Sequence, residues 1–277
     1  MAYEPATSAS PASASTTEGG TSSASAGDAT QPPTAIVTGG SKGFGRELAA
    51  ELVRQGWVVI IDGRNGDRVA RTAREVGAIG VPGDVTNPLH RQSLVGTARR
   101  TTGRLDLLVN NASTLGPTPL RPLVDYRLDE LREVFETNVI APLALAQLAV
   151  PLLAASGGAV LNLTSDASIE AYEGWGGYGC AKAALDQWTN VIAVEERGVR
   201  AWALDPGDMR TDMHQAAFPG QDISDRPLPA SVVPAALALL RHRPPSGRAR
   251  AVDLLAAAHQ VTAADQVTAA DQVTAVR

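Results

Sequence analysis

The chain reads as an α/β protein in which a doubly wound parallel sheet of about seven strands carries helices on both faces of a single domain. Three observations lead there. Short apolar runs of strand length alternate with helical patterns from Thr34 to Val252. Those runs are apolar throughout rather than at every second residue, as expected of strands buried on both faces. The chain, 277 residues and 44% hydrophobic, is long enough to bury one sizeable core.

The elements follow in order. Residues 34–38 form a short apolar strand. Residues 43–55 carry helical periodicity that stops at Gly56, and 57–62 read as a buried strand. A helix from about Asp67 leads to a strand at 78–81. Helix 89–102 precedes strand 105–110. A long helix covers about 128–155, with Pro142 and Pro151 as expected kinks. Strand 159–164, helix 178–196 and strand 199–204 come next. Residues 207–230, rich in Pro, Gly and Asp, break the rhythm, and a loop this long in a compact domain is expected to act as a lid. Helix 231–241 and a last strand near 248–252 close the domain.

Two segments flank the folded part, which spans 34–258. Residues 1–33 are mostly Ala, Ser, Thr, Gly and Pro, too poor in large apolar side chains to offset chain entropy, and are expected to be disordered. Residues 259–277 contain a tandem hexapeptide, QVTAAD, QVTAAD, QVTAVR. A period of six spreads Val261, Val267 and Val273 around a helix, so no apolar stripe forms and a weakly helical or disordered tail is expected. The net charge of −5 argues against nucleic acid or an anionic membrane as partner. The single cysteine, Cys180, leaves no internal disulfide and fits a reducing cytoplasm. One cysteine and four scattered histidines offer no metal cluster. No apolar run of membrane-spanning length and no secretory signal are expected.

The stretch Tyr178-Gly179-Cys180-Ala181-Lys182 carries the first chemical signal. A tyrosine four residues before a lysine places both on one helix face. A phenol ordinarily ionises near pH ~10, and a nearby ammonium favours the phenolate, so the pair is suited to moving a proton to or from an alcohol oxygen. The alternative is a half-buried aromatic beside a solvated lysine. The second signal is Thr38-Gly39-Gly40-Ser41-Lys42-Gly43-Phe44-Gly45, which follows the first strand and opens the first helix. Glycines there let the backbone turn tightly and approach a pyrophosphate, which the helix N-terminus attracts. An ordinary glycine-rich turn is the alternative.

This glycine spacing together with the Tyr/Lys pair resembles the short-chain dehydrogenase/reductase family, over about residues 34–252. Further segments agree in order. Asp84-Val85 stands where the family contacts adenine. Asn110-Asn111-Ala112-Ser113 resembles the family's Asn-Asn-Ala-Gly, with Ser113 in place of glycine. Asn138 matches the helix asparagine that holds a proton-relay water. Ser165, thirteen residues before Tyr178, stands where the family has its catalytic serine. Pro206-Gly207 with Thr211 resembles the segment closing over the nicotinamide. The resemblance implies a Rossmann-type fold and a cofactor site of Gly39, Ser41, Lys42, Gly43, Phe44, Gly45, Arg64, Asp84, Val85, Asn111, Ala112, Tyr178, Lys182, Pro206, Gly207 and Thr211. It implies catalysis by Asn138, Ser165, Tyr178 and Lys182, hydride transfer between a nicotinamide and a small-molecule carbonyl or alcohol, and a homodimer or homotetramer formed through the fourth and fifth helices.

The dinucleotide is read after the second strand. A ribose 2′-hydroxyl is usually held by an acid, whereas a 2′-phosphate needs cations. Gly63 occupies the place of that acid. Asp62 lies one residue earlier and by strand alternation is expected to point elsewhere. Arg64 and Lys42 are the candidate cations, so NADP(H) is expected over NAD(H); the alternative is that both are solvated surface charges. Pocket walls are expected from 115–126, 166–176 and 208–229. Two other readings remain open at this stage: an NAD-dependent alcohol dehydrogenase, and a non-catalytic nucleotide-binding protein on the same fold.

Overall fold

The structure, a computed structural model, describes residues 31–258. Seven strands form one parallel sheet in the order β3-β2-β1-β4-β5-β6-β7. They are β1 (Thr34–Val37), β2 (Val58–Gly63), β3 (Ile79–Pro82), β4 (Leu107–Asn110), β5 (Ala159–Leu163), β6 (Arg200–Asp205) and β7 (Gly247–Arg250). Val37 lies beside Ile61 of β2 on one side and Val109 of β4 on the other. The chain winds outward from β1 in both directions, so a crevice opens between the C-terminal ends of β1 and β4.

Strand alternation divides the core in two. Ala35, Val37, Val59, Ile61, Leu107 and Val109 face helices α1 (Gly43–Arg54), α2 (Gly66–Val76) and α8 (Val233–His242), meeting Leu48, Val69 and Leu237 there. Ile36, Ile60, Leu108 and Val160 point the other way. They pack on α3 (Pro88–Thr101) and α5 (Ala141–Ser156) through Leu94, Ala98, Leu145 and Leu153, with α6 (Gly176–Glu195) alongside through Trp188 and Ile192. Both faces are therefore covered, which is why the strands carry no polar alternation.

Local chemistry sets several boundaries. The Asn65 side chain accepts the Arg68 N–H and starts α2 at Gly66. Asn87 caps α3, with Pro88 in its first turn, where a missing N–H costs nothing. The expected long helix runs unbroken from Leu128 to Ser156, with an irregular turn just before Pro142. Helix α4 (Leu128–Phe135) passes through a π turn, Glu136–Ile140, into α5. Pro142, in the first turn of α5, has no N–H, so the Asn138 carbonyl four residues earlier loses its α-helical donor and the turn before the proline widens. Pro151 is accommodated inside α5.

Contrary to the expectation that no run is of membrane-spanning length, this 29-residue helix is long and apolar enough to cross a membrane by length and composition. Here its Leu145, Ala146, Ala149 and Leu153 are buried in the core. The expected last strand also ends early. β7 stops at Arg250 and residues 251–258 are helical, in keeping with their Asp-Leu-Leu-Ala-Ala-Ala run of helix formers. Within 207–230 lies α7 (Asp212–Ala217), capped by the Thr211 hydroxyl, which accepts the His214 N–H at 3.2 Å. The expectations of disorder for the N-terminal extension and of a repeat tail fall on residues 1–30 and 259–277, outside the described ones.

Candidate active site

A cleft of about 990 Å³ opens at the C-terminal ends of β1, β2 and β4, where strand order reverses. Gly39, Ser41, Lys42, Gly43, Phe44, Arg64, Asp84, Val85, Asn111, Ala112 and Thr211 all line it. The turn after β1 is held from below. Thr38 Oγ1 accepts the N–H groups of Asn111 (3.0 Å) and Ala112 (3.1 Å), and Asn111 Nδ2 donates to the Thr38 carbonyl at 2.8 Å. Gly39 has φ +63°, and a Cβ at Gly45 would stand 2.5 Å from Asn111 Nδ2. Both positions therefore exclude a side chain, Gly39 for its backbone and Gly45 for its neighbour. Gly45 supports the turn from behind.

The end of β2 corrects one expectation. Asp62 does not point away: it lines the cleft, and its Oδ1 accepts the Gly39 N–H at 2.6 Å while Oδ2 lies 2.9 Å from His90 Nε2. The turn after β1 runs directly beside the end of β2, so a side chain on that face meets the Gly39 amide. Burial pushes the Asp62 carboxyl up, while His90 and Gly39 oppose the rise. At Gly63 an added Cβ would stand 2.8 Å from Ser41 Oγ, so an acid at that place requires Ser41 to move. Arg64 is exposed at the cleft mouth. Lys42 Nζ pairs with Asp212 Oδ2 at 2.8 Å, both largely exposed. Arg46 and Arg68, which the sequence reading passed over, line the same cleft. Partial burial pushes the Asp84 carboxyl up, but the Thr86 N–H and hydroxyl, with Arg64 and His90 nearby, outweigh it and hold the group below its ordinary value.

A second group of residues gathers beyond Ser113. Ser165 follows β5; its hydroxyl donates to Asp166 Oδ1 (2.8 Å) and accepts the Ala167 N–H (3.2 Å). Tyr178 and Lys182 sit on the buried face of α6. Lys182 Nζ donates to the Leu163 carbonyl at 2.7 Å and lies 5.4 Å from the centre of the Tyr178 ring. Burial pushes Lys182 down to about 8, with Asp186 opposing.

The expected lowering of the phenol by this lysine is not what the structure shows. Burial dominates and pushes Tyr178 up, helped by Asp166 and Asp205, while the Ser113 and Ser165 hydroxyls favour the phenolate. Spacing revealed the shared helix face but not the depth of burial. Asn138 lies in the π turn; its Oδ1 accepts from Ser113 Oγ (3.0 Å) and the Thr114 N–H (2.9 Å), and its Nδ2 donates to the Thr114 carbonyl at 2.8 Å. Asn138 thus anchors the loop after β4.

Two further residues were missed in this second group. Ser113 stands between Asn138 and the Tyr178 hydroxyl; the signal was its departure from the glycine of the motif. Arg248 of β7 donates from Nη2 to the Ser165 carbonyl (3.1 Å) and pairs with Asp205 Oδ2 at 2.8 Å and Asp186 Oδ2 at 3.3 Å. No local pattern marks it. Asp205 in turn accepts the Gly207 N–H at 3.0 Å, which places Pro206 and Gly207 at the end of β6 beside this group. Of the expected walls, Leu115, Leu120, Trp175, Met213 and Phe218 cluster with Tyr178. The Trp175 ring meets Tyr178 edge-on at 5.7 Å, and Phe218 lies 6.1 Å from Trp175. Tyr172 instead turns outward to Asp166 and Glu170.

Comparison with known proteins agrees with this fold. Residues 33–222 match the family model described as short chain dehydrogenase. An uncharacterized oxidoreductase of Staphylococcus aureus strain N315 is 30% identical over 213 residues, covering 72% of this chain and 91% of the relative. Sepiapterin reductase of Bos taurus is 32% identical over 199 residues, covering 66% and 74%. Among solved structures, a short chain dehydrogenase of Shigella flexneri complexed with NADP superposes with a TM-score of 0.74 at 28% identity, covering 79% of this chain and 96% of that one. One of Escherichia coli CFT073 complexed with NADPH gives 0.73 at 28% identity, covering 80% and 97%. A family model spanning most of the chain, relatives aligned over most of their own length, and a shared seven-stranded sheet place this chain in the short-chain dehydrogenase/reductase family, as an oxidoreductase.

Proposed function

We propose that this oxidoreductase uses NADP(H) to interconvert a carbonyl and an alcohol on a small molecule. The observation that carries the reading is the buried Tyr178, its hydroxyl faced by the hydroxyls of Ser113 and Ser165 and its ring 5.4 Å from the Lys182 ammonium. The cofactor, when bound, supplies a hydride from its dihydronicotinamide to the carbonyl carbon. Tyr178 gives its proton to the forming alkoxide, and takes one in the reverse direction. Ser165 donates a hydrogen bond to the same oxygen, a contribution that grows as negative charge develops. Lys182, 5.4 Å from the centre of the phenol ring, is the cation assigned to stabilise the phenolate left behind. Asn138, its side chain spent on residues 113 and 114, would hold a relay water through its backbone carbonyl, to which Pro142 offers no N–H.

The turn 38–45 suits a dinucleotide: its glycines admit close backbone approach, and it opens α1 at an N-terminus without an acidic residue. Lys42 and Arg64 serve the 2′-phosphate, and Gly63 places no acidic side chain at its own position. Similar proteins were solved with NADP and NADPH, which supports the same preference. The folded domain spans 34–258 and acts in the cytoplasm, where the free thiol of the exposed Cys180 stays reduced. Exposed Ile140, Leu148, Val191 and Val194 on the outer faces of the 128–156 helix and α6 support pairing into a homodimer or homotetramer.

The test is cofactor consumption by the full chain, followed at the dihydronicotinamide absorbance with a panel of aldehydes, ketones and quinones. Faster oxidation of NADPH than of NADH with at least one carbonyl is expected. Tight NADH binding with little NADPH binding would overturn the cofactor assignment.

A further inference from the structure

His90 stands in the first turn of α3, outside every motif considered so far, yet its imidazole is buried, as is the Asp62 carboxylate it meets. Asp62 has two oxygens and two donors. Oδ2 takes His90 Nε2 at 2.9 Å and Oδ1 takes the Gly39 N–H at 2.6 Å. A buried carboxylate is tolerated only with such partners. Its orientation is therefore tied to the histidine, and the first glycine of the turn, at φ +63°, is tied to the carboxylate.

The other side of the ring faces the opposite wall. A Cβ added at Gly83 would stand 2.2 Å from His90 Nδ1, so the imidazole occupies the space the glycine leaves. Gly83, Asp84 and Val85 line the cleft. The next residue, Arg91, holds the Val85 carbonyl with Nη1 at 2.6 Å. The first turn of α3 thus touches both walls of the dinucleotide cleft from behind. It reaches the glycine turn through Asp62, Gly83 through the imidazole itself and Val85 through Arg91.

We propose that His90 is a positioning residue for dinucleotide binding. Acting through Asp62 it holds the Gly39 amide and the turn that receives the pyrophosphate, and by filling the space under Gly83 it sets the width of the adenine end. The inference rests on the dinucleotide reading above. It also assigns Asp62 a role shared by both cofactors, in contrast to a ribose ligand that would serve NAD alone.

Dissociation constants of NADPH and NADH are measured by dihydronicotinamide fluorescence on the full chain, for the unaltered protein, His90→Leu, His90→Gln and Asp62→Asn. His90→Leu is expected to weaken both dinucleotides alike, by about tenfold, the scale of one net hydrogen bond. His90→Gln, which keeps a donor, is expected to recover most of that loss, a rescue that a packing role alone does not produce. Unchanged affinities in folded His90→Leu would overturn the proposal. Should that variant fail to fold, unchanged affinities in Asp62→Asn would do so, as would a loss there confined to NADH. A ligand-free measurement separates this inference from the reading beneath it. The Gly39 amide proton is expected to resonate downfield in the unaltered protein and to move upfield in His90→Gln and Asp62→Asn. A Gly39 signal indifferent to both changes overturns the linkage. An unaltered protein that binds neither dinucleotide refutes the cofactor reading and the proposal with it.

Discussion

Lys182→Met separates the cost of the active-site lysine from its use. Lys182 is buried, with its ammonium on the Leu163 carbonyl at 2.7 Å. A fall in its pKa from 10.5 to about 8 means that the folded protein holds this proton less tightly than the unfolded chain. The unfolded chain binds the extra proton between those values, so the lysine's cost is fully present below pH 8 and disappears as pH rises towards 10.5. At about 1.4 kcal/mol per pH unit the whole cost is roughly 3 kcal/mol. Methionine, of similar length, removes it, but also removes a charge-assisted hydrogen bond of about 1.5–3 kcal/mol. The two terms nearly cancel at neutral pH. Urea unfolding of both proteins is the assay, with the difference in stability followed against pH. Lys182→Met is expected within about 1 kcal/mol of the unaltered protein at pH 7, and to lose roughly 2–3 kcal/mol relative to it by pH 10. The same variant is expected to lose turnover. A stability difference that stays constant from pH 7 to pH 10 would refute the reasoning, because it would show that this ammonium carries no burial penalty.

Other outcomes test neighbouring parts of the site. Arg64→Ala is expected to weaken NADPH binding about ten- to a hundredfold while sparing NADH, as loss of one charge-assisted phosphate contact requires; equal losses would remove Arg64 from the 2′-phosphate. Ser113→Gly takes away a hydroxyl facing both Tyr178 and Asn138, so steady-state turnover should fall about tenfold with NADPH affinity little changed. Unaltered turnover in that variant would confine Ser113 to loop structure. Val194→Asp places a charge on an exposed apolar face of α6; light scattering is expected to show an assembly in the unaltered protein and a smaller species in the variant. An unaltered protein monomeric at micromolar concentration would remove the proposed pairing.

The sheet was legible because its signal is local. Runs such as Val59-Ile60-Ile61 and Leu107-Leu108-Val109 are apolar on both faces only in a sheet covered on both sides. The glycine turn and the Tyr178/Lys182 pair were legible for the same reason, each being contained in a few consecutive residues. What escaped depends on distant neighbours. Asp62 meets His90 across 28 positions, and Lys42 meets Asp212 across 170. Arg248 reaches the Ser165 carbonyl from β7, 83 positions away. The phenol was misjudged because i,i+4 spacing reports proximity to the lysine, whereas burial sets the larger effect. The π turn at 136–140 was foreshadowed by Pro142, but the proline alone did not reveal the wider turn.

The proton transfer assigned to Tyr178 is open to one decisive comparison. Tyr178→Phe removes the hydroxyl and keeps the ring that packs on Trp175 and lies under Lys182. Turnover and the NADPH dissociation constant are measured on the folded variant, with a carbonyl that the unaltered protein reduces. Affinity for NADPH is expected to persist, and turnover to fall by at least about 10²-fold, the lower range for a positioned acid. A folded Tyr178→Phe that reduces the same carbonyl at close to the unaltered rate would contradict the mechanism.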